Sequence, residues 1–421
     1  MSSLLTKYKN NKTIISNFSY LTILQFFTLL FPFITYPYLL RILGFDIYGK
    51  VIFAQTIAVN ISILVNFGFN ISGTNNIACN RNDQKELSKI VSSIYSIKFL
   101  IWIACLLIYI LLIYTIPFLR KDKLLYTIAF FVTLNDLLFP IWFFQGIEKM
   151  KYITFINIGV RSLFVLFIFL LVKNESDYII VPLLNSIGAL LGGLIAIYVV
   201  IQKENIRIRR QSIATIKYFF SDSFPLFISS LSIQIYVNVN KLLVGSFLGM
   251  QEVTIYDMGE KVSTILKIPI RMFSQATFPK ISREKNIGFI NKVMWIAAGI
   301  ILLLYGISFI FANYIVYILS GEQNEIATYI IRILSFSSVI IVFNYFLGSN
   351  RLVPFGYKKI YMQNAIINCI FFLVGFGFLI LLKSVSIYSI SILYISSEIF
   401  ILIITLYYSF KYNLLYKQIT H

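Results

Sequence analysis

Apolar residues along this chain gather in long runs rather than in a strand-like alternation. The runs occupy positions 14–40, 48–72, 90–116, 124–144, 152–172, 178–201, 216–247, 253–277, 289–318, 326–348, 361–382 and 388–410. A helix that crosses the hydrocarbon core of a bilayer needs about 20 mostly apolar residues. The pattern therefore predicts an all-α polytopic membrane protein with about 12 transmembrane helices. The polar stretches between runs are short, the longest being Asn80 to Lys89 and Gln202 to Lys217. Neither could form a soluble domain. Pro37, Pro117, Pro140, Pro182, Pro225 and Pro269 lie in or beside the runs, where neighbouring helices can satisfy the backbone groups that proline frees.

Composition agrees with that reading. The 421 residues are 58% hydrophobic and 13% charged, against roughly 25% charged in soluble domains. The net charge of +19 would suggest nucleic acid in a soluble protein. Here the basic residues sit in short loops between apolar runs, so they report topology, and no nucleic-acid partner is expected. With the N-terminus placed in the cytoplasm, the inside segments hold 22 Lys and Arg and the outside loops hold 6 (Arg41, Arg120, Lys121, Lys123, Lys173 and Lys383). The asymmetry recurs loop after loop, which predicts both termini inside. The first 12 residues are polar and basic, and the apolar run after them is too long for a cleaved signal peptide.

Twelve runs divide as six plus six, giving halves at 1–201 and 202–421. Leu43-Gly44 to Tyr48-Gly49 follows the first run, and Leu248-Gly249 to Tyr256 follows the seventh. Each joins the long first helix of its half to the second, as in an internal repeat. Repeated halves around a midplane site are the usual architecture of alternating-access transporters.

Eight basic residues fall inside runs: Lys50, Lys98, Arg161, Lys241, Lys261, Lys267, Arg271 and Arg332. Each costs roughly 2.5–3.5 kcal/mol at a helix centre, so it should face water or an opposite charge. Asp257, Glu260, Lys261, Thr264, Lys267, Arg271 and Gln275 fall within an arc of about 120° on the eighth helix. Ser223, Ser230, Gln234, Asn238 and Lys241 fall within about 80° on the seventh. The second offers a weaker, uncharged stripe of Gln55, Ser62, Asn66 and Asn70. Such stripes predict a cavity lining. Its basic members outnumber its acidic ones, which favours an anionic solute. Lys241, Lys261, Lys267 and Arg271 are the candidate substrate-binding residues, with Arg161 and Arg332 behind them.

Intramembrane carboxylates are the usual proton or sodium carriers. Asp136 has no basic residue within a helical turn. Asp257 has Lys261 one turn away, which also suits a structural pair. Glu398 ranks below both, because the terminal helix is expected to be peripheral. Other chemistry is poorly supported. His421 is the only histidine and Cys79, Cys105 and Cys369 are widely spaced, so no metal site, disulfide framework or cofactor is expected. Gly44 to Lys50 resembles a phosphate loop, but Val51 stands where a hydroxyl should bind Mg²⁺. Gly188 and Gly192 read as close helix packing.

The opening Asn17-Phe18-Ser19-Tyr20-Leu21, then Gln25, Pro32 to Pro37, Arg41-Ile42-Leu43-Gly44 and Tyr48-Gly49 resemble the start of Wzx-type polysaccharide flippases. Pro140 to Met150 (PIWFFQGIEKM) is similar to their most recognisable internal motif. Phe224-Pro225-Leu226 and Phe278-Pro279-Lys280-Ile281-Ser282 match the second half. The resemblance runs from about residue 14 to 410 and places the chain in the multidrug, oligosaccharidyl-lipid and polysaccharide exporter superfamily. It implies two six-helix lobes around a central cationic cavity. It implies flipping of undecaprenyl-diphosphate-linked oligosaccharide, an O-antigen or capsule repeat unit, across a bacterial inner membrane. Arg271 is the basic position whose register fits the family best. The implied partners are the lipid-linked oligosaccharide, membrane lipids, and a polysaccharide polymerase and chain-length regulator. The alternatives are a multidrug exporter of the same fold, which should have an acidic or apolar cavity, or a membrane enzyme. A polymerase would need a sizeable outside loop and an acyltransferase an intramembrane histidine; the sequence has neither.

Overall fold

The computed structural model describes the backbone of residues 2–415. Lys417 and His421 lie outside the described residues, as do the side chains of Lys7, Lys9, Lys12, Gln275 and Pro279. The described chain is helical, with no strand among its elements. Helix α1 (Ser2–Asn66) breaks at Gly44 (φ 69, ψ 172), which separates the first two apolar runs. That conformation is essentially reserved for glycine. A second glycine, Gly68 (φ 76), then leads into α2 (Phe69–Cys79). Asp83 caps α3 (Gln84–Thr115) by accepting from the backbone N–H of Lys85 and Glu86, a satisfied helix start.

The fourth run is segmented. It holds α5 (Lys123–Phe130), α6 (Leu134–Leu138) and α7 (Ile141–Gly146), after a one-turn α4 (Pro117–Lys121). The break falls at Phe139-Pro140. Proline has no N–H to donate and pushes the preceding residue out of the helical region; Phe139 is extended at φ −89, ψ 107. Then follow α8 (Met150–Leu171), α9 (Ile180–Tyr198), α10 (Ile213–Phe247) and α11 (Met250–Glu284). Gly188 and Gly192 of α9 face Val160 of α8, so they serve close packing. The chain ends with α12 (Ile287–Ile310), α13 (Ala312–Ser320), α14 (Glu325–Phe343), α15 (Lys358–Leu381) and α16 (Ile387–Lys411). Helix α14 continues into a wider π-helical segment, Asn344–Leu352.

Among the described residues nine helical stretches are long and apolar enough to cross a membrane. The first, Ser19–Cys79, contains the first two apolar runs. Helices α10 and α11, 35 residues each, cover the seventh and eighth; at 1.5 Å per residue each is about 52 Å long. Every apolar run is thus helical, and the protein is a multi-pass membrane protein.

Two compact units divide the chain. One holds Met1–Ile47 and Ala54–Leu231, the other Tyr48–Phe53 and Ser232–His421. In the first, the core gathers Phe67, Phe69, Ile94, Trp142, Phe143 and Phe144. The tryptophan motif is therefore a packing joint. Trp142 lies where a Cβ on Gly73 would touch it at 3.2 Å, and Gly146 sits hard against Ile77. The opening motif ties into the same joint. Asn17 donates to the Glu148 carbonyl at 2.8 Å and accepts from the Met150 N–H at 3.3 Å. In the second unit Ile270, Ile281, Ile290, Ile301, Val342 and Phe346 form the core. Tyr48–Phe53 packs there against the α10–α11 turn, with Gly49 against the Met250 carbonyl and Phe53 against Gly245.

Candidate functional site

The polar stripe of α11 and the end of α10 build the site, and both belong to the second unit. Apolar positions Val253, Met258, Leu266 and Ile270 are buried, and Gly259 lets Ile330 and Leu334 of α14 approach closely. The polar positions interleave with these because a helix repeats every 3.6 residues. Along the stripe the charges sort into two groups.

The first group is an ion network. Lys241 on α10 donates to Asp257 at 3.0 Å and pairs with Glu260 at 2.8 Å. Lys261, one turn beyond Asp257, pairs with the other carboxylate oxygen of Asp257. Asp257 is buried between the two ammonium groups. Breaking one member of a buried pair is far more costly than its net contribution suggests, so this network fixes α10 against the start of α11. Asn238 also bonds Gln234 along the α10 stripe at 2.7 Å.

Further along α11, a cavity of about 350 Å³ opens inside the same unit. Lys267 and Arg271 line it, one helical turn apart, with Glu260 and Thr264 on the same helix. Helix α16 contributes Glu398 and Tyr394, α15 contributes Tyr361 and Asn364, and the π-helical segment contributes Asn344 and Ser349. Lys267 donates to the Tyr394 hydroxyl at 3.3 Å and lies 5.5 Å from that ring's centre. Asn344 donates to the Glu398 carboxylate at 2.9 Å and to its backbone carbonyl at 3.1 Å. The widened backbone at Asn344–Leu352 places Asn344 and Ser349 on the cavity wall; such helix irregularities are frequent at functional sites. Two cations and two carboxylates thus share the lining, so its charge is balanced rather than simply basic.

The remaining sequence candidates stand elsewhere. Arg332 on α14 donates to the Phe309 carbonyl at 3.2 Å and lies over the rings of Phe309 and Tyr329. Arg161 on α8 is half-buried in the first unit, with no hydrogen bond or ion pair among the described residues. Asp136 on α6 is also in the first unit. The Lys98 ammonium, buried on α3, donates to the Asp136 carbonyl oxygen at 2.8 Å. Asn66 donates to its carboxylate at 3.5 Å. Part of the uncharged stripe on the second run therefore meets Asp136. Sequence reasoning misses Tyr394, Tyr361 and Asn344 as site residues and ranks Glu398, as an ion carrier, below Asp136 and Asp257. The one signal for them was an acidic residue in an otherwise apolar terminal helix.

Comparison with known proteins adds a family to this geometry. The polysaccharide biosynthesis protein family matches residues 14–285. A Shigella dysenteriae protein provisionally named an O-antigen transporter is 27% identical over 366 residues, 81% of this chain and 88% of its own. Among solved structures, the lipid II flippase MurJ in an inward closed conformation aligns with a TM-score of 0.73 at 15% identity, over 92% of this chain and 86% of its own. A multidrug resistance MATE family transporter of the MOP superfamily, inward-facing, aligns at 0.70 with 13% identity, over 92% and 99%. At such identities these two likenesses establish the fold.

Proposed function

The chain belongs to the polysaccharide biosynthesis protein family, and from that membership we propose that it is a flippase for undecaprenyl-diphosphate-linked oligosaccharide. In this reading the substrate moves from the cytoplasmic to the periplasmic leaflet of a bacterial inner membrane by alternating access. The observation that carries the reading is the placement of Lys267 and Arg271, one turn apart on α11, on the wall of an intramembrane cavity. Paired cations at that spacing suit a diphosphate, because charge-assisted hydrogen bonds to phosphate oxygens are the strong ones. The resemblance of the motifs to Wzx-type flippases and the sequence likeness to a protein provisionally named an O-antigen transporter support the same substrate class.

Orientation follows the 22-to-6 Lys and Arg asymmetry, with both termini cytoplasmic. The halves are 1–201 and 202–421, and alternating access comes from their relative motion, as in transporters built of repeated halves. Lys267 and Arg271 hold the headgroup. Lys241 and Lys261, joined to Asp257, hold the stripe in register and add positive potential beside it; Arg161 and Arg332 contribute at longer range. Asp136 is the proposed ion-coupling carboxylate, and Asp257 between two lysines serves mainly as a structural anchor. A polysaccharide polymerase and a chain-length regulator act downstream of the flipped product. One observation favours a second reading, a multidrug exporter for cations: Glu260 and Glu398 face the same cavity.

Deletion in the source bacterium separates the two. The flippase reading expects loss of one surface glycan, with its lipid-linked repeat unit accumulating on the cytoplasmic leaflet. Normal surface glycan together with sensitivity to cationic drugs favours the exporter.

A further inference from the structure

Tyr394 joins the two opposite charges of the cavity. Its hydroxyl accepts from the Lys267 ammonium at 3.3 Å, and Glu398 stands one turn along α16 on the same cavity wall. A hydroxyl that accepts from an ammonium keeps its own proton to give, which leaves Tyr394 able to donate toward Glu398. Asn344 holds the carboxylate from the other side at 2.9 Å. Glu398 is only 5% exposed. It makes no direct ion pair among the described residues, and the Lys267 ammonium shares its cavity. The other charged and titratable groups around it are Arg271 and Glu260 on α11, Tyr345 in the π-helical segment and Tyr361 on α15.

We propose that Lys267, Tyr394 and Glu398 form a relay in which a diphosphate binding to Lys267 and Arg271 causes Glu398 to take up a proton. The inference rests on the flippase reading for its ligand and goes beyond it by linking occupancy to protonation at one named carboxylate. An arriving diphosphate competes with Tyr394 for the Lys267 N–H groups. Once the ammonium is turned to phosphate, Glu398 loses the cation that balanced it and stands near added negative charge. A buried carboxylate without a compensating cation takes a proton from water. The balance is simple: one proton moves from solvent to a Glu398 oxygen, no covalent bond to the ligand forms, and the proton leaves when the diphosphate leaves. Asp257 cannot play this part, since two lysines neutralise it directly.

The test is calorimetric titration of the whole purified protein in nanodiscs with farnesyl diphosphate, in buffers of different ionisation enthalpy. The wild type is expected to take up about one proton more per bound ligand than Glu398→Gln, as linkage to a single carboxylate requires. Glu398→Gln should still bind, because the amide keeps the shape and the Asn344 contact. Tyr394→Phe, which keeps the ring and removes the hydroxyl, should also reduce the uptake. Inorganic diphosphate at high concentration should bring the same Glu398-dependent uptake, because the headgroup is the trigger. Binding with equal uptake in the wild type and both variants overturns the relay alone. Binding that survives Lys267→Ala together with Arg271→Ala, or no binding to the wild type, overturns the underlying reading of the cavity as well.

Discussion

Gly44 and Gly249, 205 positions apart, both combine a positive φ with an extended ψ, φ 69 with ψ 172 and φ 126 with ψ 178. Each follows a leucine and ends the first long helix of its half. A side chain is strained in that region whatever the room around it, at about 1–3 kcal/mol. The pair supports the internal repeat read from the Leu43-Gly44 and Leu248-Gly249 segments. Gly44→Ala has open space around the added methyl, and Gly249→Ala meets Glu252 at 3.1 Å. Both variants are expected to fold with a lowered melting temperature in detergent, and unchanged melting in both would contradict the strain argument.

A second prediction concerns close approach. A Cβ on Gly49 would lie 1.8 Å from the Met250 carbonyl oxygen, and one on Gly245 would lie 2.3 Å from the Phe53 ring. Backbone cannot yield easily but a ring can be trimmed. Gly245→Ala should cost about 1–3 kcal/mol as an overpacked site and be partly rescued by Phe53→Leu. Gly49→Ala should lower folded yield more severely, with no rescue from Phe53→Leu. Thermal melts of the four variants decide it.

Asp257 gives the third. Asp257→Asn leaves Lys241 and Lys261 without their shared carboxylate, although Lys241 keeps Glu260. The expected loss is about 3–5 kcal/mol, typical of a broken buried pair. Adding Lys261→Met should recover part of it, because the stranded charge goes too. Strict additivity of the two losses would show that the pair does not couple.

Lys98 and Asp136 give the fourth. From α3 the Lys98 ammonium donates to the Asp136 backbone carbonyl on α6, across 38 positions of sequence, and its charge acts on the nearby carboxylate. Lys98→Met and Asp136→Asn should each destabilise, and the double variant should be less harmful than their sum. Transport by Asp136→Asn, tested with and without collapse of the proton gradient, checks its proposed coupling role. A wild-type rate with a wild-type response removes it from that role.

Much of this was legible because hydropathy encodes helices that cross lipid, and a 3.6-residue period encodes which face is polar. The period of the α11 stripe marks Lys267 and Arg271 as polar-face residues, and both line the cavity. Two things could not be read along one helix. One is partnership between helices: Asp136 looked unpaired within its own turn, yet α3 brings Lys98 to it, and Lys241 meets Asp257 and Glu260. The other is the placement of α16. An apolar terminal helix has no sequence mark that distinguishes lipid-facing from cavity-facing, so the sequence ranks Glu398 low, and only the fold sets Asn344 against it on the cavity wall. The widened Asn344–Leu352 segment likewise leaves no hydropathy signal, since its residues differ from a regular helix only in backbone bonding. The expected excess of positive charge came from counting stripe residues without Glu398, which the cavity adds.

The central claim is tested most directly by leaflet exchange of a lipid-diphosphate oligosaccharide in sealed vesicles containing the purified protein, followed by its accessibility to an added sugar-modifying enzyme. The account predicts exchange well above empty vesicles. It predicts a loss of at least about 10- to 100-fold in Lys267→Ala with Arg271→Ala, the range for losing even one charged hydrogen bond of about 1.5–3 kcal/mol. Exchange by that double variant at the wild-type rate, with equal protein in the membrane, would contradict it.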